Sequence, residues 1–412
     1  MASIGFAGAV GGSFFLSSLL TLAVVISAAK VLGALSVRLR QPAVLGELAA
    51  GLLLGPSLLD ILSRKGFGGE PVGEVVHWAA ELGVVWLMFA AGLETDFDDL
   101  RRAGRPAAMS GVLGVVVPLL MGWGLGLAFG LGGEQAVAIG LILSATSVSI
   151  SAQTLMELKK LRSREGVALL GAAVIDDVLV VALLSVFVGA VSEGGSLSSV
   201  SFGLVRMVVV LAIVAGAAYF VLPRLAEWAD RLRASQGLLA IVLAAVLFLA
   251  WSVESLGGVA AITGAFLAGV GLGRSHFRHE IERGLSPLAY AFFVPLFLVD
   301  IGLRSNAREL PAGAVWFTIA LLAIAAASKL VGSGLGAYFA GFEKGAALRM
   351  GLGMMSRGEV GLIVAGVVVA EEILLPEIFT VVVLMVLVTT MVTPPLLRWA
   401  FARQEVSDAA AG

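Results

Sequence analysis

The sequence predicts an all-α membrane protein of thirteen transmembrane helices, and three observations carry that reading. Hydrophobic residues fill 59% of the 412 positions and charged residues only 14%, far from the mix of an ordinary soluble domain. Apolar runs of about 20 residues, the length that crosses a hydrocarbon core about 30 Å thick, recur along almost the whole chain. Basic residues also separate between alternate connectors. Arg101, Arg102, Lys159, Lys160 and Arg231 fall with many others on one side, while the opposite side holds only Arg64, Lys65, Arg304 and Arg308. An even number of spans would scramble this separation. The positive-inside rule makes the richer side cytoplasmic, with the N-terminus outside and the C-terminus inside.

The spans are expected near 14–36, 42–60, 74–93, 107–130, 136–156, 164–190, 201–222, 237–254, 258–273, 285–303, 312–340, 346–371 and 376–398. The first run lacks the basic start of a signal peptide and is followed by further spans, so 1–36 reads as a retained, extra N-terminal helix. Glycine, at 52 residues, is well above its usual share of about 7%. Small residues let helices approach closely in a bilayer, where no hydrophobic drive pulls them together. Gly122/Gly126 and Gly332/Gly336 have the small-xxx-small spacing, which a glycine-rich chain also produces by chance. Cysteine is absent, which excludes disulfides and thiolate metal sites.

An internal repeat is visible. GELAAGLLLG, from Gly46 to Gly55, shares its glycine spacing with GAFLAGVGLG, from Gly264 to Gly273, and LMFAAGL ending at Leu93 echoes LFLVDIGL ending at Leu303. Spans two and nine run in opposite directions, so two five-helix units would be inverted relative to each other, a construction common among secondary transporters. The whole chain, 1–412, then reads as one integral membrane unit: a first repeat at 42–222, a linker helix at 237–254 and a second repeat at 258–403. The same offset carries the polar stretch SATSVSIS, from Ser144, onto MMSRGEVG, from Met354. Paired interruptions of this kind point to a site at the bilayer midplane, because unwound backbone must line a cavity rather than face lipid. The alternative is that Ser and Thr merely bond back to their own helices.

Asp176 and Asp177 stand in the middle of span six, where each carboxylate costs about 2.5 to 3.5 kcal/mol on insertion scales and therefore marks a function by default. Adjacent helical positions point about 100° apart, so one carboxylate can be paired while the other addresses a different partner. Lys329, near the centre of span eleven, is the expected partner of one. The other could then hold a proton or a bare cation, an antiport scheme in outline; the alternative is a static clasp between two helices. Arg357 and Glu359, inside the second interruption, are expected to neutralise each other and hold the break. Glu47 reads equally as a funnel residue or a snorkelling carboxylate. Asp300, with Arg304 one turn on, reads as a local pair ahead of an ion ligand, and Glu81 has no evident partner. His77, His276 and His279 sit at connectors or span ends. No phosphate loop, nucleophile elbow or metal-ligand spacing appears, so no enzyme activity, resident cofactor or nucleic-acid partner is expected.

QPAVLGELAAGLLLGP, ATSVSISAQTL, GAAVIDDV, SKLVGSGLGA and GMMSRGEVGLIVA together closely resemble the bacterial cation/proton antiporters of the NapA type, within the wider group that includes the Kef potassium-efflux proteins. The resemblance spans essentially the whole chain. It implies an NhaA-like antiporter fold with crossing broken helices, a bacterial inner-membrane location, a homodimer and an elevator-like alternating-access motion. The moving core would comprise about 107–190 and 312–371. By the same resemblance Asp177 is the carboxylate that carries sodium (or lithium) and protons, Asp176 the partner of Lys329, and Thr146 and Ser147 lie beside them at the crossover. The Asp-Asp pair with lysine resembles the electrogenic class. Asp300 departs from the pattern, since relatives often carry an uncharged residue there. No soluble regulatory domain of the Kef kind is expected. Potassium exchange or efflux on the same scaffold, and a sodium-coupled organic-solute symporter, remain the competing readings.

Overall fold

Inside a bilayer the backbone must satisfy its own N–H and C=O groups, and among the described residues every regular element is a helix. The computed structural model describes residues 3–39, 41–95, 103–191, 197–232, 235–304, 306, 308, 315–371, 373–374 and 376–411. In chain order the helices are α1 (Ser3–Arg38), α2 (Ala43–Leu54), α3 (Gly69–Glu94), α4 (Gly104–Ala128), α5 (Gly133–Ser144), α6 (Val148–Glu157) and α7 (Arg164–Val191). Next come α8 (Leu197–Gly216, continued through a π-turn at Ala217–Val221 into Leu222–Asp230), α9 (Gly237–Gly257) and α10 (Ala261–Gly273). The last are α11 (Arg278–Leu288, then a π-turn at Ala289–Phe293 and Val294–Leu303), α12 (Val315–Phe339), α13 (Lys344–Gly353), α14 (Glu359–Ala370) and α15 (Pro376–Ala411). Both π-turns directly precede a proline at the second position of the continuing helix, Pro223 and Pro295, whose missing N–H releases a carbonyl of the preceding turn.

Ten helical stretches among the described residues are long and apolar enough to cross a membrane, α5 with α6 counting as one; Ala43–Leu54, Ala261–Gly273 and Val360–Val369 are apolar but shorter. The chain is thus a multi-pass, all-helical membrane protein. The run expected at 42–60 is helical only as far as Leu54, because Gly55 turns extended (φ −74°, ψ 177°) directly before Pro56.

The chain divides into two compact units, Met1–Trp86 with Pro287–Glu309, and Leu87–Ser286 with Leu310–Gly412. In the first unit α2 lies so close to its neighbours that a Cβ on Gly46 would stand 2.1 Å from Leu32 O of α1, and one on Gly51 2.3 Å from Val299 O of α11. In the second unit α10 repeats the arrangement: a Cβ on Gly264 would stand 2.5 Å from Leu249 O of α9, and one on Gly269 2.2 Å from Phe89 O of α3.

Helix α4 organises the second unit. Its Gly122 and Gly126 meet Gly140 and Ala136 of α5, its Leu113 and Met109 carbonyls meet Gly332 and Gly336 of α12, and its Gly111 meets Ala172 of α7. Both small-xxx-small pairs seen in the sequence are therefore packing surfaces, one on α4 itself against α5 and one on α12 against α4.

Candidate functional site

Helix α7 carries Asp176 and Asp177 in its middle, and the close contact at Gly111 brings that stretch against α4. Both aspartates are buried, at 0% and 4% exposure. Helix α12, packed on the same α4, carries Lys329, which is also fully buried and donates from Nζ to Asp176 Oδ1 over 2.5 Å. Asp177 lies near enough to Lys329 to act on it through its charge. The structure thus joins the aspartate pair to the lysine expected from span eleven, at a separation of 153 residues.

The two interruptions meet each other. Residues 145–147, between α5 and α6, are extended, and the Ser147 N–H donates to the Ser356 carbonyl over 2.9 Å. In return the Ser356 hydroxyl donates to the Ser147 carbonyl over 2.7 Å, and the Ser151 hydroxyl donates to the Gly353 carbonyl. A Cβ on Gly358 would fall 2.5 Å from the Ser147 side chain, so the crossing depends on that glycine. Unwound backbone that would otherwise be orphaned in the membrane interior is satisfied by its counterpart. Ser147 accordingly holds the crossing through its backbone. The Thr146 hydroxyl lies beside the Asp176 carboxylate. Thr146 Oγ1 and Asp176 Oδ2 are both buried, and neither makes a hydrogen bond of good geometry among the described residues. Two such oxygens at a carboxylate pair suit an oxygen-seeking cation, which takes oxygen ligands and would satisfy both.

Arg357 is fully buried and directs its guanidinium to main-chain oxygens, from Nη1 to Ala145 O over 2.7 Å and from Nη2 to Ala325 O over 2.8 Å. Ala145 ends α5, so the positive charge lies on the negative end of that half-helix. The Arg357 backbone is held in turn: its N–H donates to Thr389 Oγ1 over 3.2 Å and its carbonyl accepts from Thr390 over 2.8 Å. Glu359 opens α14, but its side chain, and so the expected pairing with Arg357, lies outside the described residues.

The remaining candidates belong to the first unit. Glu47 is buried and accepts from Lys30 of α1 over 2.8 Å. Asp300 pairs with Arg304 over 3.2 Å, the local pair expected, and also with His77 Nδ1 over 2.9 Å; His77 Nε2 lies 3.2 Å from Glu81, which supplies the partner the sequence did not reveal. Lys30, His77 and the ion pair of Arg349 with Glu165, which ties α13 to α7, escaped sequence reasoning because each pairing joins separate helices. A signal for Arg357's support was present in the adjacent Thr389 and Thr390 within an apolar run.

Buried acids balanced by buried cations, set where two broken helices cross, define a secondary membrane transporter. The chain belongs to the sodium/hydrogen exchanger family: the family model described as "Sodium/hydrogen exchanger, transmembrane" matches residues 20–403. It is 38% identical over 388 residues to the Na(+)/H(+)-K(+) antiporter GerN of Bacillus cereus, covering 93% of this chain and 96% of the relative. It is 32% identical to a Na(+)/H(+) antiporter of Enterococcus hirae over 367 residues, 89% of this chain and 93% of that one. In structure it is similar to the sodium proton antiporter MjNhaP1 from Methanocaldococcus jannaschii, with a TM-score of 0.67 at 15% identity, covering 94% of this chain and 97% of that one; this likeness is one of fold.

Proposed function

We propose that this protein exchanges sodium, or lithium, for protons across a bacterial cell membrane by alternating access, as an electrogenic antiporter of the NapA type. The carrying observation is the buried Lys329–Asp176 ion pair next to Asp177 and beside the crossing of the two broken helices. With all four groups ionised, Asp176 and Asp177 offset Lys329 and Arg357. Protonated Asp177 leaves this set with one positive charge. Sodium that displaces this proton, with Lys329 giving up its own, leaves the set neutral, so two protons leave for each sodium that enters and charge moves. The two ions therefore exclude one another, which is what couples their fluxes. Asp177 carries the cation or the proton, Asp176 and Thr146 complete the oxygen ligands, and Ser147 shapes the site through the crossing. Asp300 and Glu47 act in helix pairing rather than as ligands.

The names of the relatives support sodium/proton exchange, and the name of GerN favours potassium as a second transported ion. Counting α2, α10 and the α13–α14 pair with the ten long stretches supports thirteen crossings, and the distribution of basic residues favours an N-terminus outside and a cytoplasmic C-terminus. The matching glycine contacts of α2 and α10 support the inverted repeat. The working form is read as a homodimer. In proteoliposomes, added sodium should dissipate an imposed proton gradient, and Asp177→Asn should abolish the response; exchange persisting in that variant refutes the assignment. Potassium in the same assay decides the second reading, and indifference to an imposed membrane potential would contradict electrogenic exchange.

A further inference from the structure

We propose that Lys329 has a second seat where α4 and α12 touch, formed by the Ser333 hydroxyl and the Gly114 carbonyl, which receives its amino group when Asp176 gives it up. The proposal rests on the reading of Asp176 and Lys329 as working parts of cation exchange.

Lys329 is fully buried, with its ammonium on Asp176. A cation or proton arriving at Asp176 weakens that attraction and leaves a buried amino group in need of another partner. Ser333 stands one turn along the same helix, is fully buried, and its hydroxyl has no hydrogen-bond partner among the described residues. The two groups lie against the same residue of α4, Gly114. A Cβ on Gly114 would fall 2.5 Å from Ser333 Oγ and 3.7 Å from Lys329 Nζ, so the missing side chain at Gly114 is what lets the hydroxyl and the amino group lie together against α4. Pro118 lies within α4 and has no N–H, so the Gly114 carbonyl lacks the donor that would normally close its helical turn. One turn earlier on α4, Ser110 adds a second buried hydroxyl without a partner.

An orphaned hydroxyl is expensive to bury, and its place near a buried amino group calls for a use. The chemistry suits both protonation states. A hydroxyl oxygen and a carbonyl accept from the ammonium, and the hydroxyl donates to the neutral amine once the proton has left. Ser333 is thus a positioning residue that stabilises the released state of Lys329 and, through it, the cation-loaded site.

Sodium-driven proton exchange in proteoliposomes carrying the full-length protein tests this. Ser333→Ala and Gly114→Ala should each raise the sodium KM about three- to tenfold, the worth of one lost hydrogen bond, with little change in kcat. Because protons compete with the weakened cation, half-maximal activity should move to higher pH. Ser333→Thr, which keeps the hydroxyl, should restore the parental KM. Parental KM and pH profile in both Ser333→Ala and Gly114→Ala, or equal impairment in Ser333→Thr and Ser333→Ala, would overturn the proposal. A structure of the unmodified protein saturated with sodium gives a reading free of folding defects: Lys329 Nζ should lie on Ser333, and finding it still on Asp176 overturns the seat. Asp177→Asn is measured alongside. Exchange surviving there removes the transport reading itself, whereas an inactive Asp177→Asn with unaffected Ser333→Ala removes only the seat.

Discussion

The two broken helices occupy matching places in the sequence and do different chemistry. The first interruption, Ala145–Ser147, carries no charge and presents the Thr146 hydroxyl to Asp176. The second, Met354–Gly358, carries Arg357, which reaches back to the carbonyl that ends α5 and to Ala325, one turn before Lys329. One break thus presents a hydroxyl to the aspartate while the other contributes a charged brace. Two crossing breaks can differ in this way because the crossing itself needs only the pair of bonds between Ser147 and Ser356, one from a backbone N–H and one from a hydroxyl. The side chains around that pairing are then left to separate roles.

That contrast predicts a graded set of effects. Arg357→Ala should be the most damaging to the fold, since it removes two charge-assisted bonds worth about 1.5 to 3 kcal/mol each and exposes the α5 terminus. A large fall in Tm in detergent checks this, and an unchanged Tm would mean the second break is not a brace. Thr146→Val should hardly alter Tm but should raise the sodium KM about tenfold, equivalent to about 1.4 kcal/mol of lost cation binding. Were its effect on Tm instead as large as that of Arg357→Ala, the two breaks would be equivalent. Ser356→Ala should be mildest, losing one hydrogen bond worth about 0.5 to 1.5 kcal/mol while KM stays near the parental value. A tenfold KM change there would place ligand chemistry in the second break as well.

Much of this site was legible because charge in an apolar run is so costly that each instance signals itself. Asp176, Asp177, Lys329 and Arg357 were found that way, and the structure places all four in one unit. Their partners were harder to read. The glycine pairs Gly122/Gly126 and Gly332/Gly336 carried no weight alone, yet they bring α5 and α12 onto α4. Glu81 showed no partner because His77 had been set aside as a residue at a span end, although the two stand one turn apart on α3. Ser333 and Gly114 gave no signal, since a serine and a glycine in a membrane helix are ordinary until their neighbours are known.

The sequence by itself determined the membrane class, the helical elements, the family resemblance and the depth of the ionisable residues, because hydrophobic length and the cost of buried charge act locally along the chain. Only the tertiary structure decided which carbonyls Arg357 braces and that Ser333 lies against Gly114 of α4, and it set Lys329 on Asp176, the partner that the family resemblance implied. Those choices depend on the rotation and approach of helices from distant parts of the chain. In this protein they are set by where glycine permits backbone to touch backbone.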